Sequence, residues 1–384
     1  MDDLNDLRIR IDEVDREMIR LLEERMAVSI KIGNYKIANN LPVLDRRREK
    51  LVISKNLSFL KNMEFKDEAE FFINCMMELS KNAQKKLGTK AFNQKEYSGK
   101  MIKEGIAYKQ KEVTVGFQGV LGSFSEQALH EYFSEEVKTK NLAEFEDVFQ
   151  SLQNEEIDYG IIPIANSSTG GIAEVYDLLR RYGFFIIGER IIKVDHHLLG
   201  VKGARIEDIT EVYSHSQGFQ QCSEFFREYP DWKLIPYKNT AVSARMISEE
   251  NNSEKAAVAG KRAAEIYNLE IIKEVINNNP QNFTRFIIIS STMGVTKKSN
   301  KISIMVSIPH KPGALHDVLS PFAENKLNML KIESRPIAEK SWEYFFFIDF
   351  EGSLNDNNVV NAIEKIQENC NYFQLLGNYE RHEI

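Results

Sequence analysis

The stretch NNNPQNFTRFIII, residues 277–289, passes from turn-forming amides and one proline to a run of β-branched and aromatic residues. Such a run, bounded by turn residues, predicts a buried strand. Thr284 and Arg285 stand at the start of this strand, where a core needs neither a hydroxyl nor a guanidinium. The two side chains either lie exposed at an edge of the sheet or face a cleft. The sequence of the surrounding segments distinguishes between these alternatives.

The strand ends a segment, from about residue 113 to 291, in which short β-branched runs alternate with helical patterns. This alternation is typical of an α/β fold. Upstream of it, residues 1–87 read as helical throughout, with Gly33 and Pro42 as the only glycine and proline. Downstream, the runs follow a β-α-β-β-α-β order, which predicts a ferredoxin-like α+β domain.

The length of 384 residues exceeds what one hydrophobic core normally serves, so we expect a multidomain protein. The expected boundaries are residues 1–90 for an all-α domain, 91–111 for a polar linker, 112–292 for an α/β domain and 299–384 for an α+β domain. The net charge of −7, from 57 acidic and 50 basic residues, argues against nucleic-acid binding, which needs a basic surface.

The three cysteines, Cys75, Cys222 and Cys370, lie far apart and show no CxxC spacing. They indicate reduced thiols in a cytoplasmic protein rather than a disulfide frame or a zinc site. The N-terminal MDDLNDLRIR is acidic and has no apolar signal core. No apolar stretch is long enough for a bilayer span, so neither secretion nor a membrane partner is expected.

In the helical segment, apolar residues recur at alternating spacings of three and four, so they form one face of a long helix. This pattern is typical of packing against other helices. This seam consists of Leu4, Leu7, Ile11, Val14, Met18, Leu21, Arg25, Val28 and Ile32. Arg25 interrupts the apolar pattern, and a buried guanidinium without an anion is costly. Pairing with a neighbour such as Glu49 is one explanation. Because nearby cations outnumber acids, a small dianionic ligand is the other.

The helical segment closely resembles the chorismate mutase domain of bifunctional P-proteins, through LRIRIDEVD, LLEERMAVSIKIGNYK, PVLDRRRE and ELSKNAQ. The ligand-binding pattern of that family falls on Arg8, Arg25, Lys36, Asp45, Arg48, Glu49, Ser80 and Gln84. The resemblance implies that Arg8, from a partner subunit, and Arg25 bind carboxylates. It also implies that Lys36 and Gln84 donate to the ether oxygen, while Glu49 orients the hydroxyl. A pericyclic rearrangement needs only such positioning and charge stabilisation, without base, nucleophile or metal.

Four loops of the α/β segment are rich in Ser, Thr, Asn and Gly and precede helical patterns: GSFSEQAL, ANSSTGGIAEVYDLL, SHSQGFQQC and NTAVSARM. Free backbone N–H groups at helix starts attract anions, so four such loops indicate a cleft for a small polyanion. The pair His196 and His197 could suggest a metal. Adjacent strand residues point to opposite faces, however, so structural histidines are favoured. His215 likewise indicates a hydrogen-bonding loop residue.

The α/β segment resembles prephenate dehydratase through GSFSEQA, IPIANSSTGG, DHHLLG, YSHSQGFQQC and above all NFTRF. The resemblance implies a two-lobed fold like that of periplasmic binding proteins, with Thr284 as proton donor and Arg285 binding a substrate carboxylate. We expect Asn166, Ser214 and Gln221 to orient Thr284 and the leaving group.

The α/β segment departs from the dehydratase pattern at two positions. Ala165 stands where the family often has glutamate, and Ser216 where it often has proline. The first change removes any role for a carboxylate at that position.

The third segment contains HKPGALHDVLSPF, in which a Pro-Gly turn precedes a helix. Taken alone, this is an ordinary strand-to-helix turn. With ESRP, however, PGAL resembles the phenylalanine-specific signatures of ACT regulatory domains. The resemblance implies an effector site, formed where two such domains pair, that contains Gly313, Ala314, Leu315, Glu333, Ser334 and Arg335.

Together the resemblances predict a bifunctional enzyme that rearranges chorismate to prephenate and converts prephenate to phenylpyruvate. L-phenylalanine is expected to inhibit it, and no cofactor or metal is expected. At least a homodimer is expected, because the helical domain shares its site with a partner. Two alternatives remain: a preference for arogenate over prephenate, and a catalytically inactive phenylalanine sensor.

Overall fold

The computed structural model describes residues 3–38, 46–88, 101–103, 113–134, 136–337 and 343–383. The chain divides into two compact units between residues 94 and 95. The described part of the first unit contains the helices α1 (Leu4–Ala38), α2 (Arg46–Leu57) and α3 (Lys66–Gly88), with a 3-10 turn at Met63–Phe65. No described helix has the length and apolar character that a membrane crossing requires.

Helix α1 packs against α3, and Ser29 and Ile73 are buried in this unit. Within the described part of the first unit, the predicted seam of α1 is left uncovered. Its apolar members are between 44% and 60% exposed: Leu4, Leu7, Ile11, Val14, Met18, Leu21, Val28 and Ile32. A single protomer therefore leaves a long apolar face of α1 in water, an arrangement that monomeric proteins avoid.

The second unit begins with an α/β domain. Its strands are β1 (Met101–Lys103), β2 (Thr114–Gln118), β3 (Lys138–Leu142), β4 (Tyr159–Asn166), β5 (Gly170–Gly171), β6 (Phe185–Lys193), β7 (His197–Gly200), β8 (Glu211–Ser214), β9 (Lys233–Pro236), β10 (Lys255–Ala259), β11 (Glu270–Lys273), β12 (Phe283–Ser290) and β13 (Met293–Val295). Its helices are α4 (Phe124–Phe133), α5 (Phe145–Gln153), α6 (Ala173–Tyr182), α7 (Ser216–Gln221), α8 (Ser223–Phe226), α9 (Thr240–Glu250) and α10 (Lys261–Ile266), with a 3-10 turn at Ile206–Asp208.

These elements form two lobes, each built on its own sheet. The sheet of the first lobe has the order β3-β2-β4-β12-β6, with β5 beside β4, and that of the second has the order β11-β7-β10-β8-β9. Strand β12 lies antiparallel between β4 and β6, so the chain returns from the second lobe to complete the first. This return brings the NFTRF segment back beside β4.

The C-terminal domain contains β14 (Lys301–Ser307), α11 (Ala314–Glu324), β15 (Met329–Pro336), β16 (Tyr344–Glu351), α12 (Asn357–Asn369) and β17 (Tyr372–Tyr379). Its sheet has the order β15-β16-β14-β17 and is antiparallel throughout. The predicted β-α-β-β-α-β order is confirmed.

The C-terminal domain packs directly on the first lobe. Met305, Phe347 and Leu376 belong to the same buried cluster as Ile287 and Ile289 of β12.

Strand β6 is the last strand of the sheet of the first lobe, and β17 lies against it. At Gly377 of β17, a Cβ atom would lie 2.0 Å from the carbonyl oxygen of Ile186 in β6. The two domains therefore touch backbone to backbone.

Candidate functional site

A cavity of about 510 Å³ is lined by residues of both lobes of the α/β domain. It lies at the carboxyl ends of the parallel strands β2 and β4, where Gln118 and Asn166 line it, and at the start of β12, where Thr284 lines it. Ligands of open α/β sheets bind in crevices of this kind. The volume suits a small molecule.

All four of the predicted loops reach this cavity. The lining residues that start helices are Ser123, Phe124 and Ser125 for α4, Ile172 for α6, His215, Gln217 and Gly218 for α7, and Asn239 and Thr240 for α9. The side chains of Ser123 and Asn239 cap α4 and α9 by accepting from the backbone N–H groups of Glu126 and Val242. The prediction that these helix starts converge on one cleft is confirmed. The starts could be predicted because capping signals are local in sequence.

Thr284 faces the cavity and is held by Asn166. The two residues are paired across β12 and β4, and the Asn166 Nδ2 donates to Thr284 Oγ1 at 2.9 Å. The same amide nitrogen donates to Asn282 Oδ1 at 2.8 Å, while Asn166 Oδ1 accepts from the backbone N–H of Ser168 at 2.8 Å. The Asn166 amide is thus fixed at both ends. Because Thr284 Oγ1 accepts from it, the hydroxyl proton of Thr284 is left to donate elsewhere.

The prediction that Arg285 faces the substrate site is wrong for this structure. Side chains alternate along a strand, so Thr284 and Phe286 line the cavity while Arg285 points to the opposite face of β12. There its guanidinium is paired with Glu189 at 2.7 Å and with Asp349 at 2.5 Å. A guanidinium with two carboxylate partners is already neutralised, which removes the reason to expect a substrate carboxylate beside it.

Of the other two residues expected to orient Thr284, Gln221 lines the cavity and Ser214 does not. The Oε1 of Gln221 lies 2.9 Å from His196 Nε2, not at Thr284. Ser214 is fully buried and donates to the carbonyl oxygen of Val258 at 3.0 Å. The hydroxyl of Ser214 is therefore bonded to Val258, and the structure does not bring it to Thr284 as predicted.

His196, treated above as structural, lines the cavity, and its Nδ1 has no hydrogen-bond partner among the described residues. Burial lowers the pKa of His196, so its imidazole is neutral near pH 7. His197 contacts a different group, since its Nδ1 accepts from the backbone N–H of Val275 at 3.1 Å. The two rings thus have different partners. The sequence did not indicate which of the two histidines lines the cavity.

The sequence reasoning also missed Lys238, the only lysine or arginine among the described residues that line this cavity. Its side chain is exposed at the cavity, and none of the described acids forms an ion pair with it. Its position directly before the NTAVSARM loop was the available signal, because that loop was already expected to bind anions.

In the helical unit, Arg25 is half-buried and donates from Nη1 to the Met76 carbonyl oxygen at 2.9 Å and to the Ser80 hydroxyl. Burial lowers the pKa of Arg25. Within the described residues, no carboxylate pairs with it. Ser80 is placed beside Arg25, and the alternative of a pairing with Glu49 concerns a side chain that lies outside the described residues.

Arg8 and Arg48 are exposed and Lys36 is half-buried. Asp45 lies outside the described residues, as do the side chains of Glu49 and Gln84, although α2 and α3 include these two positions. The roles predicted for these residues stay predictions.

A second cavity, of about 380 Å³, lies in the C-terminal domain at the start of α11. Gly313, Ala314 and Leu315, three residues of the predicted effector site, line it together with Tyr344 and Phe346 of β16. Gly313 has φ of 80°, a left-handed conformation that glycine adopts without strain.

The ESRP residues do not line this second cavity. Arg335 lies 3.6 Å from Asp177 of α6, and Glu333 lies close to Gly171, while Ser334 is exposed on the other face of β15. Within one chain, the two halves of the predicted effector site remain separate.

Three family models match the chain in order. Chorismate mutase type II matches residues 7–85, prephenate dehydratase matches residues 115–294, and the ACT domain matches residues 302–368. A bifunctional chorismate mutase/prephenate dehydratase from Buchnera aphidicola subsp. Acyrthosiphon pisum is 33% identical, over 98% of this chain and 96% of the relative.

Two solved structures superpose on 70% of this chain, each with a TM-score of 0.64. One is prephenate dehydratase from Arthrobacter aurescens in complex with L-Phe, at 28% identity over 90% of that chain. The other is described as GqqA, a novel type of quorum quenching acylase, at 25% identity over 98% of that chain. With the family models, these similarities confirm the fold classes predicted for the three domains.

Proposed function

Because this chain belongs to the family of bifunctional chorismate mutase/prephenate dehydratases, we propose an assignment of its two reactions to the sites described above. The chain rearranges chorismate to prephenate and then dehydrates and decarboxylates prephenate to phenylpyruvate, with L-phenylalanine as feedback inhibitor. The single observation that carries the assignment of the second reaction is the Asn166–Thr284 pair at the cavity.

In the helical unit, Arg25 binds a carboxylate of chorismate and Ser80 holds the guanidinium in place. The bidentate fork of arginine suits a carboxylate, and its permanent charge stabilises the transition state. Lys36 and Gln84 donate to the ether oxygen, which gains negative charge as its bond breaks. Asp45 and Arg48 complete the site, and Glu49 orients the hydroxyl group.

This helical site takes Arg8 from a second chain, so the functional state is at least a homodimer. The exposed apolar seam of α1 supports this proposal, since a second copy would cover it. The cysteines are free thiols, in keeping with a cytoplasmic location.

In the cavity of the α/β domain, Thr284 donates a proton to the departing hydroxyl of prephenate. The ring carboxylate leaves as carbon dioxide, and its bonding electrons enter the ring as the carbon–oxygen bond breaks. Formation of the aromatic ring makes the reaction favourable, so a neutral hydroxyl is a sufficient acid when Asn166 holds it in position. Gln221 and the neutral His196 supply further polar contacts to the substrate.

Lys238 binds a prephenate carboxylate in place of the role first given to Arg285. It is the cationic side chain of the cavity, and the next two residues begin α9 with free backbone N–H groups. L-phenylalanine binds at the second cavity, where turn amides near Gly313 hold its carboxylate and Phe346 contacts its ring.

The test is substitution of Thr284, with both activities measured on the same purified protein. We expect Thr284→Val to lower kcat for prephenate by about 100- to 10,000-fold, the usual contribution of a general acid. Thr284→Ser should retain most of the activity because it keeps the hydroxyl. Chorismate mutase activity, which uses the separate helical unit, serves as the internal control for folding.

An unchanged kcat in Thr284→Val would overturn the role of this threonine. Assaying arogenate beside prephenate separates the two substrate alternatives. Phenylalanine binding by a wild-type protein that converts neither chorismate nor prephenate would establish the sensor alternative.

A further inference from the structure

The side chain that follows Thr284 in sequence lies at the centre of a buried polar cluster. This Arg285 cluster consists of Arg285 of β12, Glu189 of β6, Lys301 and Ser303 of β14, Asp349 of β16 and Tyr379 of β17. The first two belong to the α/β domain and the other four to the C-terminal domain. The cluster therefore spans the contact between the dehydratase domain and its regulatory domain.

Each of the three guanidinium nitrogens donates one hydrogen bond. Arg285 Nε donates to Glu189 at 2.7 Å, Nη1 to Asp349 at 2.5 Å and Nη2 to the Tyr379 hydroxyl at 2.8 Å. The three bonds point in fixed directions because the guanidinium is planar. They hold the position of Arg285 from three different strands.

The partners of Arg285 are themselves fixed. Ser303 Oγ donates to Asp349 at 2.5 Å and lies 2.7 Å from the Tyr379 hydroxyl, and Lys301 Nζ donates to Glu189 at 2.8 Å. The cluster holds two cations and two anions, and its charged side chains are at most 13% exposed. These hydrogen bonds and ion pairs fix the position of the guanidinium.

The position of Arg285 bears on Thr284 because the two residues share the same stretch of backbone. Thr284 and Arg285 are consecutive, and the pairing of β12 with β4 shifts register directly after Arg285. The extra residue of this β-bulge, Ile164, lies in β4, whereas β12 pairs with β6 without interruption from Phe283 to Ile288. Side chains alternate along a strand, so the backbone segment that places Arg285 on one face of β12 also places Thr284 on the other face, toward the cavity.

We infer that Asp349 of the regulatory domain is a positioning residue for dehydration, acting through Arg285 on Thr284. The inference rests on the proposed role of Thr284 as proton donor. It makes the regulatory domain a structural part of the dehydratase site. Strand β16, which carries Asp349, also supplies Tyr344 and Phe346 to the effector cavity, so one strand contributes to both the Arg285 cluster and that cavity.

Asp349→Asn removes one charge and little volume, and Glu351→Gln is its matched control. Glu351 lies two residues further along β16 and forms an exposed ion pair with Arg381 at 2.8 Å. In Asp349→Asn we expect kcat for prephenate to fall at least about tenfold while KM changes less than about twofold, because positioning acts on the chemical step. Chorismate mutase activity and all parameters of Glu351→Gln should stay at the wild-type level.

The double variant Thr284→Val/Asp349→Asn decides whether Asp349 acts through Thr284. If it does, adding Asp349→Asn to Thr284→Val causes no further loss, since coupled residues are non-additive. Multiplying losses would overturn the inference and leave the role of Thr284 standing. A Thr284→Val protein with normal kcat would instead refute the proposed function.

A purely structural role for Asp349 predicts a lowered Tm with normal kcat, and that result would also overturn the inference. If Asp349→Asn fails to fold, Tyr379→Phe replaces it, because this change removes one bond to Arg285 and no charge. A folded Tyr379→Phe protein should show a smaller fall in kcat with unchanged KM. Wild-type kcat there would refute the inference.

Discussion

The contrast between Thr284 and Arg285 shows how two adjacent side chains of one motif acquire different tasks. Their direction follows from strand alternation alone, so the sequence could have shown that both cannot face one cavity. The partners of Arg285 could not be foreseen. Glu189 and Asp349 are 96 and 64 residues away in sequence, and only the fold brings them together.

Lys238 is the residue on which we expect substrate affinity in the dehydratase to depend. Lys238→Gln should raise KM for prephenate about tenfold, since a charge-assisted hydrogen bond to a carboxylate is lost, with a smaller change in kcat. Steady-state kinetics on prephenate measure both parameters. Lys202→Gln is the control, because Lys202 is an exposed lysine of the same lobe that does not line the cavity.

If Lys238→Gln leaves KM for prephenate unchanged, the carboxylates are held by other groups. The backbone amides at the starts of α4 and α9 would then be the remaining candidates.

At the scale of elements, helix starts were predictable and strand neighbours were not. Ser123 and Asn239 are local signals that say where α4 and α9 begin. The insertion of β12 between β4 and β6 has no local signal, because it joins segments more than 90 residues apart. The cavity could therefore be predicted as a set of loops, but the pairing of Asn166 with Thr284 required the sheet.

Asp349 of strand β16 should make the stability of the protein depend on pH. Burial would raise the pKa of Asp349, but the charges of Arg285 and Lys301 and the hydrogen bond from Ser303 lower it below its ordinary value. The stabilisation from Asp349 is therefore fully present above the unfolded pKa of about 3.9 and is lost as pH falls through the lower folded pKa.

We expect Asp349→Asn to destabilise the second unit by about 3 kcal/mol at pH 7, since breaking a buried ion network leaves a charge uncompensated. The corresponding loss in Tm is roughly 6–10 °C. The Tm gap from wild type should stay constant from about pH 8 to 5 and narrow below about pH 4. Thermal unfolding across this range measures it, and a gap that is the same at pH 3 and pH 7 would contradict the assignment.

At the scale of the whole molecule, the order of the three domains followed from the sequence, because each carries its own motifs. The packing of the regulatory domain on the dehydratase did not. Its core is shared through Met305, Phe347 and Leu376, and apolar residues at a domain contact look the same in sequence as apolar residues of a separate core. The exposed seam of α1 likewise appeared in the sequence as a packed face, and the sequence pattern does not distinguish a partner within the chain from a second chain.

Two defective chains should restore one mutase site between them. Arg8→Ala and Arg25→Ala each abolish mutase activity if every site combines Arg8 of one chain with Arg25 of the other. After unfolding and refolding together in equal amounts, half of the dimers are mixed and each has one intact site, so about a quarter of wild-type activity should return. Mutase assays before and after mixing measure this.

The two variants refolded separately are the control for that mixing experiment, and their dehydratase activity reports on correct refolding. Recovery near zero in a mixture with full dehydratase activity would show that each chain builds its mutase site alone.

The contact at Gly377 limits how this chain can be divided or recombined. Strand β6 ends its sheet, and β17 shields it at a distance that leaves no room for a side chain. An excised dehydratase would present an open sheet edge to other molecules and be prone to aggregate. A chimaera carrying a foreign sensor module would have to reproduce the glycine as well as the charges of this contact.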